Sequence, residues 1–167
     1  MELQLGLLGP EQWIAERKRL IGFAIRFGEK RLTLKSMHAF RTLRPDQLTA
    51  ASTDKGAAAV VTATLGGRLA GLGFAGDAGE EGCFVVVRSD MRDRGIGSKI
   101  VEGLMSRFEH LTCTVACDNA SSMALCFKLG MVAVAMVTGP TGKPTLRFER
   151  RVSHDTAGTR DIDLISQ

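Results

Sequence analysis

The 167-residue chain reads as α/β of the α+β kind, one domain with enough length for a full core. Three observations lead there. The apolar, β-branched run Cys83–Val87 reads as a buried strand, and the polar stretch after it ends in Gly95 and Gly97, one residue apart. An amphipathic helix follows at once, with Ile100, Val101, Leu104, Met105 and Phe108 on one face and Lys99, Glu102, Arg107 and Glu109 on the other. Elsewhere, two pairs of apolar segments are joined by short glycine-containing turns, the hairpin signal of antiparallel strands.

Taken in order, Met1–Leu8 reads as a short edge strand. Gly9-Pro10 punctuates, and Pro10 suits the first position of a helix over Glu11–Leu20 whose apolar face is thin. Ile21–Leu43 interleaves Arg and Lys with Phe23, Phe27, Leu32, Leu34, Met37 and Phe40. Such a stretch is one way to contact nucleic acid, but a pair of surface helices covering one edge of a sheet is the simpler account. Pro45–Leu48 starts a short turn or helix, and Thr53–Gly56 is a polar linker. Ala57–Leu65 and Arg68–Ala75 are strands turned at Gly66-Gly67. Gly76–Gly82 is a loop carrying Asp77, Glu80 and Glu81. Leu111–Cys117 is a strand, and Asp118 or Asn119 caps a helix on which Ala120, Met123, Ala124 and Phe127 share a face. Gly130 ends that helix. Met131–Val137 and Pro144–Arg150 form a hairpin about Gly139–Gly142, and the polar tail from Ser153 is expected to be mobile.

Strand, glycine turn and helix together aim unpaired backbone N–H groups at an anion, and glycine lets the main chain approach it closely. Three patterns compete for the turn. The dinucleotide pattern G-x-G-x-x-G fails because Ile100 stands where the third glycine belongs. The phosphate-loop pattern fails because Lys99 follows Ser98 and no glycine has the required spacing. The third, [RQ]-x-x-G-x-[GA], is met by Arg92, Gly95 and Gly97, and it resembles the acetyl-CoA pyrophosphate turn of the GNAT superfamily of N-acetyltransferases. An ordinary tight turn would also use a glycine pair. A second stretch decides between them: Asp118–Met131 resembles the other GNAT signature, N-x-x-A-x-x-L-Y-x-K-x-G-F. Asn119, Leu125, Lys128 and Gly130 match, while Ser122, Cys126 and Met131 depart. The resemblance covers about Ala57 to Arg150.

The resemblance implies a mixed, mostly antiparallel central sheet flanked by helices and splayed beside Val87. It implies a division into a variable acceptor-side segment (1–56), an acetyl-CoA-binding core (57–150) and the tail (151–167). Arg92, Arg94, Gly95, Ile96, Gly97 and Ser98 would wrap the pyrophosphate. The pantetheine arm would pair with backbone near Val85 and Val87, and an N–H near Val87 would polarise the thioester carbonyl. Asn119 would hydrogen-bond the arm as well as cap its helix, and Lys128 would reach a CoA phosphate.

Acetyl transfer to an amine also needs a neutral amine and a protonated leaving thiolate. Many family members protonate with a tyrosine where this chain has Cys126, and the chain contains no tyrosine. A Cys126 thiol donates weakly, and packing is its simpler role. Glu81, just ahead of the strand, is the candidate base acting through water; Glu80 is its neighbour, and His38 has a suitable pKa but nothing places it.

Net charge, +4, is too mild to imply nucleic acid, while acetyl-CoA is itself a polyanion. The four cysteines form no C-x-x-C and no cluster with histidine, so small core packing is expected and no metal. No signal peptide or membrane span is visible, which points to a reducing cytoplasm. The expected partners are acetyl-CoA and an amine acceptor of unreadable identity; dimers are common in the family. The other functional class is a GNAT-fold acyl-CoA-binding or protein-interaction module without efficient turnover, and RNA binding through the basic segment is a third.

Overall fold

The computed structural model describes residues 2–28 and 31–150. Strands β1 (Leu3–Leu7), β2 (Ala58–Leu65), β3 (Arg68–Gly76) and β4 (Gly82–Val87) form a sheet in that order. Strands β5 (Thr112–Ala116), β6 (Met131–Thr138) and β7 (Pro144–Arg150) form another, ordered β5-β7-β6. Every ladder among the described residues is antiparallel. β4 lies against β5 without a ladder between them, so the expected single sheet is realised as two halves meeting at a seam. Among the described residues the α-helices are α1 (Pro10–Phe27), α2 (Leu34–Arg41), α3 (Ile96–Arg107) and α4 (Ala120–Lys128).

The helices cover both faces. Against one face of the first sheet, Trp13, Leu20 and Phe23 of α1 and Phe40 of α2 pack onto Val60, Leu72, Phe74, Phe84 and Val86. Phe40 is fully buried, with ring centroids 5.1 Å from Trp13 and Phe74 and 5.2 Å from Phe84. The basic segment therefore supplies an aromatic core to a sheet face rather than a cover for its edge. Helix α1 also continues to Phe27 rather than ending at Leu20, because Phe23 and Ala24 are buried and Gly22 alone does not break it. Pro10 opens it as the sequence indicates.

The other face carries α3, whose expected apolar residues, Ile100, Val101, Leu104, Met105 and Phe108, are all buried. Gly71 and Gly73 let it sit unusually close. A Cβ at Gly71 would lie 2.6 Å from Ile100 Cδ1, and one at Gly73 would lie 2.3 Å from Ile100 Cγ2. At its far end, Arg107 donates to the carbonyls of Ala58 (2.7 Å), Gln47 (3.1 Å) and Ala50 (2.9 Å).

Helix α4 departs from the sequence expectation. Its buried residue is Cys126, while Ala120, Ala124 and Phe127 are exposed. Its apolar residues are too many to fix a stripe, and docking on the second sheet chooses the Cys126 side; Phe127 only leans edge-on against Phe148, at 5.1 Å. Gly130 ends α4 with φ of 82° as expected. The polar tail lies outside the described residues.

Because the turn ahead of α3 is positioned by this close packing, Gly73→Ala is expected to destabilise the fold by about 1–3 kcal/mol through overpacking. Pairing it with Ile100→Ala, which removes the Cγ2 atom that a Cβ at Gly73 would meet, should give a combined loss smaller than the sum of the two single losses. Denaturant unfolding of the two single variants and the double variant checks this; strictly additive losses would contradict the close approach.

Candidate functional site

Strand β4 presents two different faces. Phe84 and Val86 are buried in the aromatic cluster, whereas Cys83, Val85 and Val87 are half-buried and turn toward α3 and the second sheet. Its backbone polarity alternates in step. The register pairs Val87 with Gly71 and Val85 with Gly73, and the Arg88 N–H donates to the Ala70 carbonyl at 2.8 Å. That bond sets the phase of the ladder, so the N–H and C=O groups of Val85 and Val87 point away from β3, toward the seam.

The glycine turn closes one end of this row. Gly95 has φ of 77°, a conformation glycine adopts without cost, and the place of its missing Cβ is open space. Gly97 lies in the first turn of α3, and a Cβ there would sit 3.6 Å from Leu125 Cδ2 and 4.0 Å from Cγ atoms of Val85 and Val87. The structure thus brings Val85, Val87 and Gly97 together with Leu125, a residue of the second motif that sequence reasoning had matched without giving it a place. Ile96 is buried and anchors the turn. The N–H groups of the first turn of α3 open beside Arg94, which is exposed, and Ser98, which is half-buried.

Arg92 is exposed, yet its guanidinium donates to the carbonyls of Val87 (3.1 Å) and Phe27 (3.2 Å). It therefore clamps the turn to the end of α1. Asn119 caps α4: its side-chain oxygen accepts from the Ser122 N–H at 3.4 Å. Lys128 is exposed in the last turn of α4.

The acid–base candidates lie elsewhere. Glu81 is exposed ahead of β4, at the opposite end of that strand from the glycine turn. Its neighbour Glu80 is engaged: Arg147 donates to both carboxylate oxygens, at 3.1 and 2.7 Å, and this pairing holds the Glu80 carboxyl below its ordinary range. Cys126 is buried with its sulfur 3.7 Å from that of Cys113. The Cys113 thiol and burial push the Cys126 thiol far above the usual range, so it stays protonated. Its surroundings are those of a packing residue. Among the described residues, no group of three or more His, Cys, Asp or Glu is arranged to hold a metal.

Sequence reasoning missed two further features. Asp118 accepts from Arg31 at 3.1 Å and from Lys143 at 2.8 Å, joining the segment between α1 and α2 to the β6–β7 hairpin. The thiol of Cys83 lies against that of Cys113, so three cysteines from β4, β5 and α4 meet. Neither leaves a local signal, because the partners are far apart in sequence.

Replacing Cys126 by Ala is expected to cost about 1 kcal/mol of stability and to retain at least about a tenth of any acetyl-transfer rate, since losing a true general acid costs about 10²-fold or more. A melting curve and kcat at saturating acetyl-CoA across pH, with Cys126→Tyr as the companion variant, check this. A hundredfold loss with an unchanged melting curve would make the thiol the acid.

The acetyltransferase (GNAT) family model matches residues 30–131. No curated protein matches the chain by sequence. Among solved structures, the acetyltransferase of GNAT family from Streptococcus pneumoniae superposes with a TM-score of 0.66 at 16% identity, covering 91% of this chain and 100% of that one. The putative acetyltransferase yncA from Salmonella typhimurium, solved with its cofactor acetyl-CoA, gives 0.58 at 15% identity over 93% and 96% of the two chains. A ribosomal-protein-alanine N-acetyltransferase from Brucella melitensis gives 0.60 at 17% over 89% and 99%. At these identities the structures speak for the fold alone. With the family model spanning most of the chain, the protein is a member of the GNAT acetyltransferase family.

Proposed function

We propose that this protein is an acetyl-CoA-dependent N-acetyltransferase that acts on a primary amine of a small molecule or peptide. The observation that carries the reading is the meeting of Val85, Val87, Gly97 and Leu125 beside an open glycine turn. The residues fit the cofactor on this structure's own terms. The space at Gly95 admits a phosphate to the backbone, and the seam edge of β4 offers N–H and C=O groups to a strand-like arm.

Acetyl-CoA would supply the activated acetyl group. The first-turn N–H groups of α3, with Arg94 and Ser98 beside them, would hold the pyrophosphate. Arg92 would act through the Val87 carbonyl and the end of α1, fixing the turn rather than gripping phosphate. The seam-facing N–H of Val87 would stabilise the carbonyl oxygen as it gains charge. Asn119 and Lys128 remain candidates for the pantetheine arm and a CoA phosphate. Glu81 would receive the amine's proton through water, and an amine that arrives neutral asks little of it. The residues 1–56 form the acceptor side and 57–150 the cofactor core.

One observation favours a second reading. Cys126 is buried with its sulfur against that of Cys113, and Glu81 is exposed at the far end of β4 from the turn, so the thiol is a poor donor and the carboxylate is far from the glycine turn. A GNAT-fold acyl-CoA-binding module without efficient turnover has the same structure. A steady-state thiol-release assay over a panel of amines separates them: amine-dependent release supports the enzyme, and tight acetyl-CoA binding with no release supports the module.

Gly97→Val should abolish acetyl-CoA binding in calorimetric titration while the melting temperature changes little. A Cβ makes only ordinary contacts there, but the two further methyls fill the space among Val85, Val87 and Leu125. Gly97→Ala should bind more weakly without total loss. Gly95→Val is the poorer test, since a β-branched residue in that left-handed conformation costs about 1–2 kcal/mol of folding by itself. Wild-type affinity in Gly97→Val would overturn the cofactor reading.

A further inference from the structure

The β4 side chains that face α3 form a row, Val87, Val85, Cys83, which begins at the glycine turn and ends at the cluster of three thiols. Adjacent members of the row are two residues apart, so a strand-like arm anchored at the turn runs toward Cys83 over about 13 Å. We propose that Cys83 is a modification site for oxidised coenzyme A, a thiol placed at the end of the channel so that a CoA disulfide seated there exchanges with it. This rests on the acetyl-CoA reading of the same channel.

The exchange balances as written. The Cys83 sulfur loses its proton and attacks one sulfur of the CoA disulfide. That S–S bond breaks, an S–S bond between Cys83 and one CoA forms, and the other CoA leaves as a thiolate that takes up the proton. The disulfide reagent is the oxidant, so nothing further is required. Position selects Cys83 among the cysteines. Cys126 is buried, and its sulfur and that of Cys113 face each other at 3.7 Å. Both of these thiols are held far above their ordinary range, Cys126 by Cys113 and by burial, Cys113 by Cys83 and by burial, and a protonated thiol is a poor nucleophile. Cys83 is half-buried and continues the row that the turn begins. Cys117 lies past the end of β5 and outside that row.

The adduct would occupy the acetyl-CoA channel and block it until a thiol reductant removes it. Oxidation of the CoA pool would thereby switch the protein off through its own cofactor site.

The test uses the full-length, reduced wild-type protein. It is incubated with CoA disulfide or, separately, with glutathione disulfide, then read by intact mass and by peptide mapping without reduction. The expected result is one CoA per chain, mapped to Cys83, formed at least about tenfold faster than the glutathione adduct because the channel concentrates the CoA moiety. Saturating acetyl-CoA should suppress it, and dithiothreitol should reverse it. An adduct on Cys113, Cys117 or Cys126, equal labelling by glutathione disulfide, or no adduct would overturn the proposal. Calorimetric titration with acetyl-CoA runs alongside. Normal binding with no Cys83 adduct sinks this inference alone; absent binding sinks the channel reading and the inference with it.

Discussion

Strands β4 and β5 touch without exchanging backbone hydrogen bonds, and the remaining features of the site follow from that gap. Backbone N–H and C=O groups inside a protein are almost always paired. Beside that gap, α3 packs on β2, β3 and β4, seated so tightly on Gly71 and Gly73 that Ile100 occupies the space of two missing Cβ atoms. The same seating fixes the direction of its first turn, which opens above Gly97 beside Val85, Val87 and Leu125. The consequence is an edge of β4 that carries no ladder to β5 and that leads into a glycine turn at the start of α3.

The arginines, which as a composition looked like a basic surface, do specific mechanical work. Arg92 ties the turn to Phe27, Arg107 ties the far end of α3 to the segment before β2, and Arg17 donates to the Arg41 carbonyl between α1 and α2. Arg26 and Arg88 lie over the Phe27 ring, at 5.0 and 5.1 Å. Arg31 and Lys143 meet on Asp118 and tie the segment between α1 and α2 to the β6–β7 hairpin. The Asp118 ion pairs are exposed and screened by solvent, so their use is in placing loops rather than in holding the fold.

What the sequence disclosed, and what it hid, divides along sequence distance. The strand, the glycine turn and the apolar face of α3 were legible because each depends on neighbours a few residues away. The turn at Gly66-Gly67 and the end of α4 at Gly130 were legible for the same reason. The length of α1 was not, since Phe23 and Phe40 interleave with arginines and only the sheet they pack on reveals them as core. The buried side of α4 was not, since Ala120, Met123, Ala124, Cys126 and Phe127 offer more than one apolar stripe and the second sheet chooses. The bond from Arg92 to the Phe27 carbonyl was not legible either, since its partner lies on another helix far away in sequence.

The absence of tyrosine from the chain and the presence of three contiguous thiols bear on the same chemical step. A leaving thiolate at the end of the channel needs a proton, and the residue that motif order assigns to give it is a buried thiol bonded to another thiol. Neutral, desolvated sulfur is a poor acid and an inert wall. On the acetyltransferase reading, the Val87 N–H would stabilise charge on the carbonyl oxygen, and the leaving thiolate would take its proton from solvent rather than from Cys126. The same three thiols that form the wall then leave Cys83, the half-buried one on β4, as the group a thiol-bearing ligand meets first.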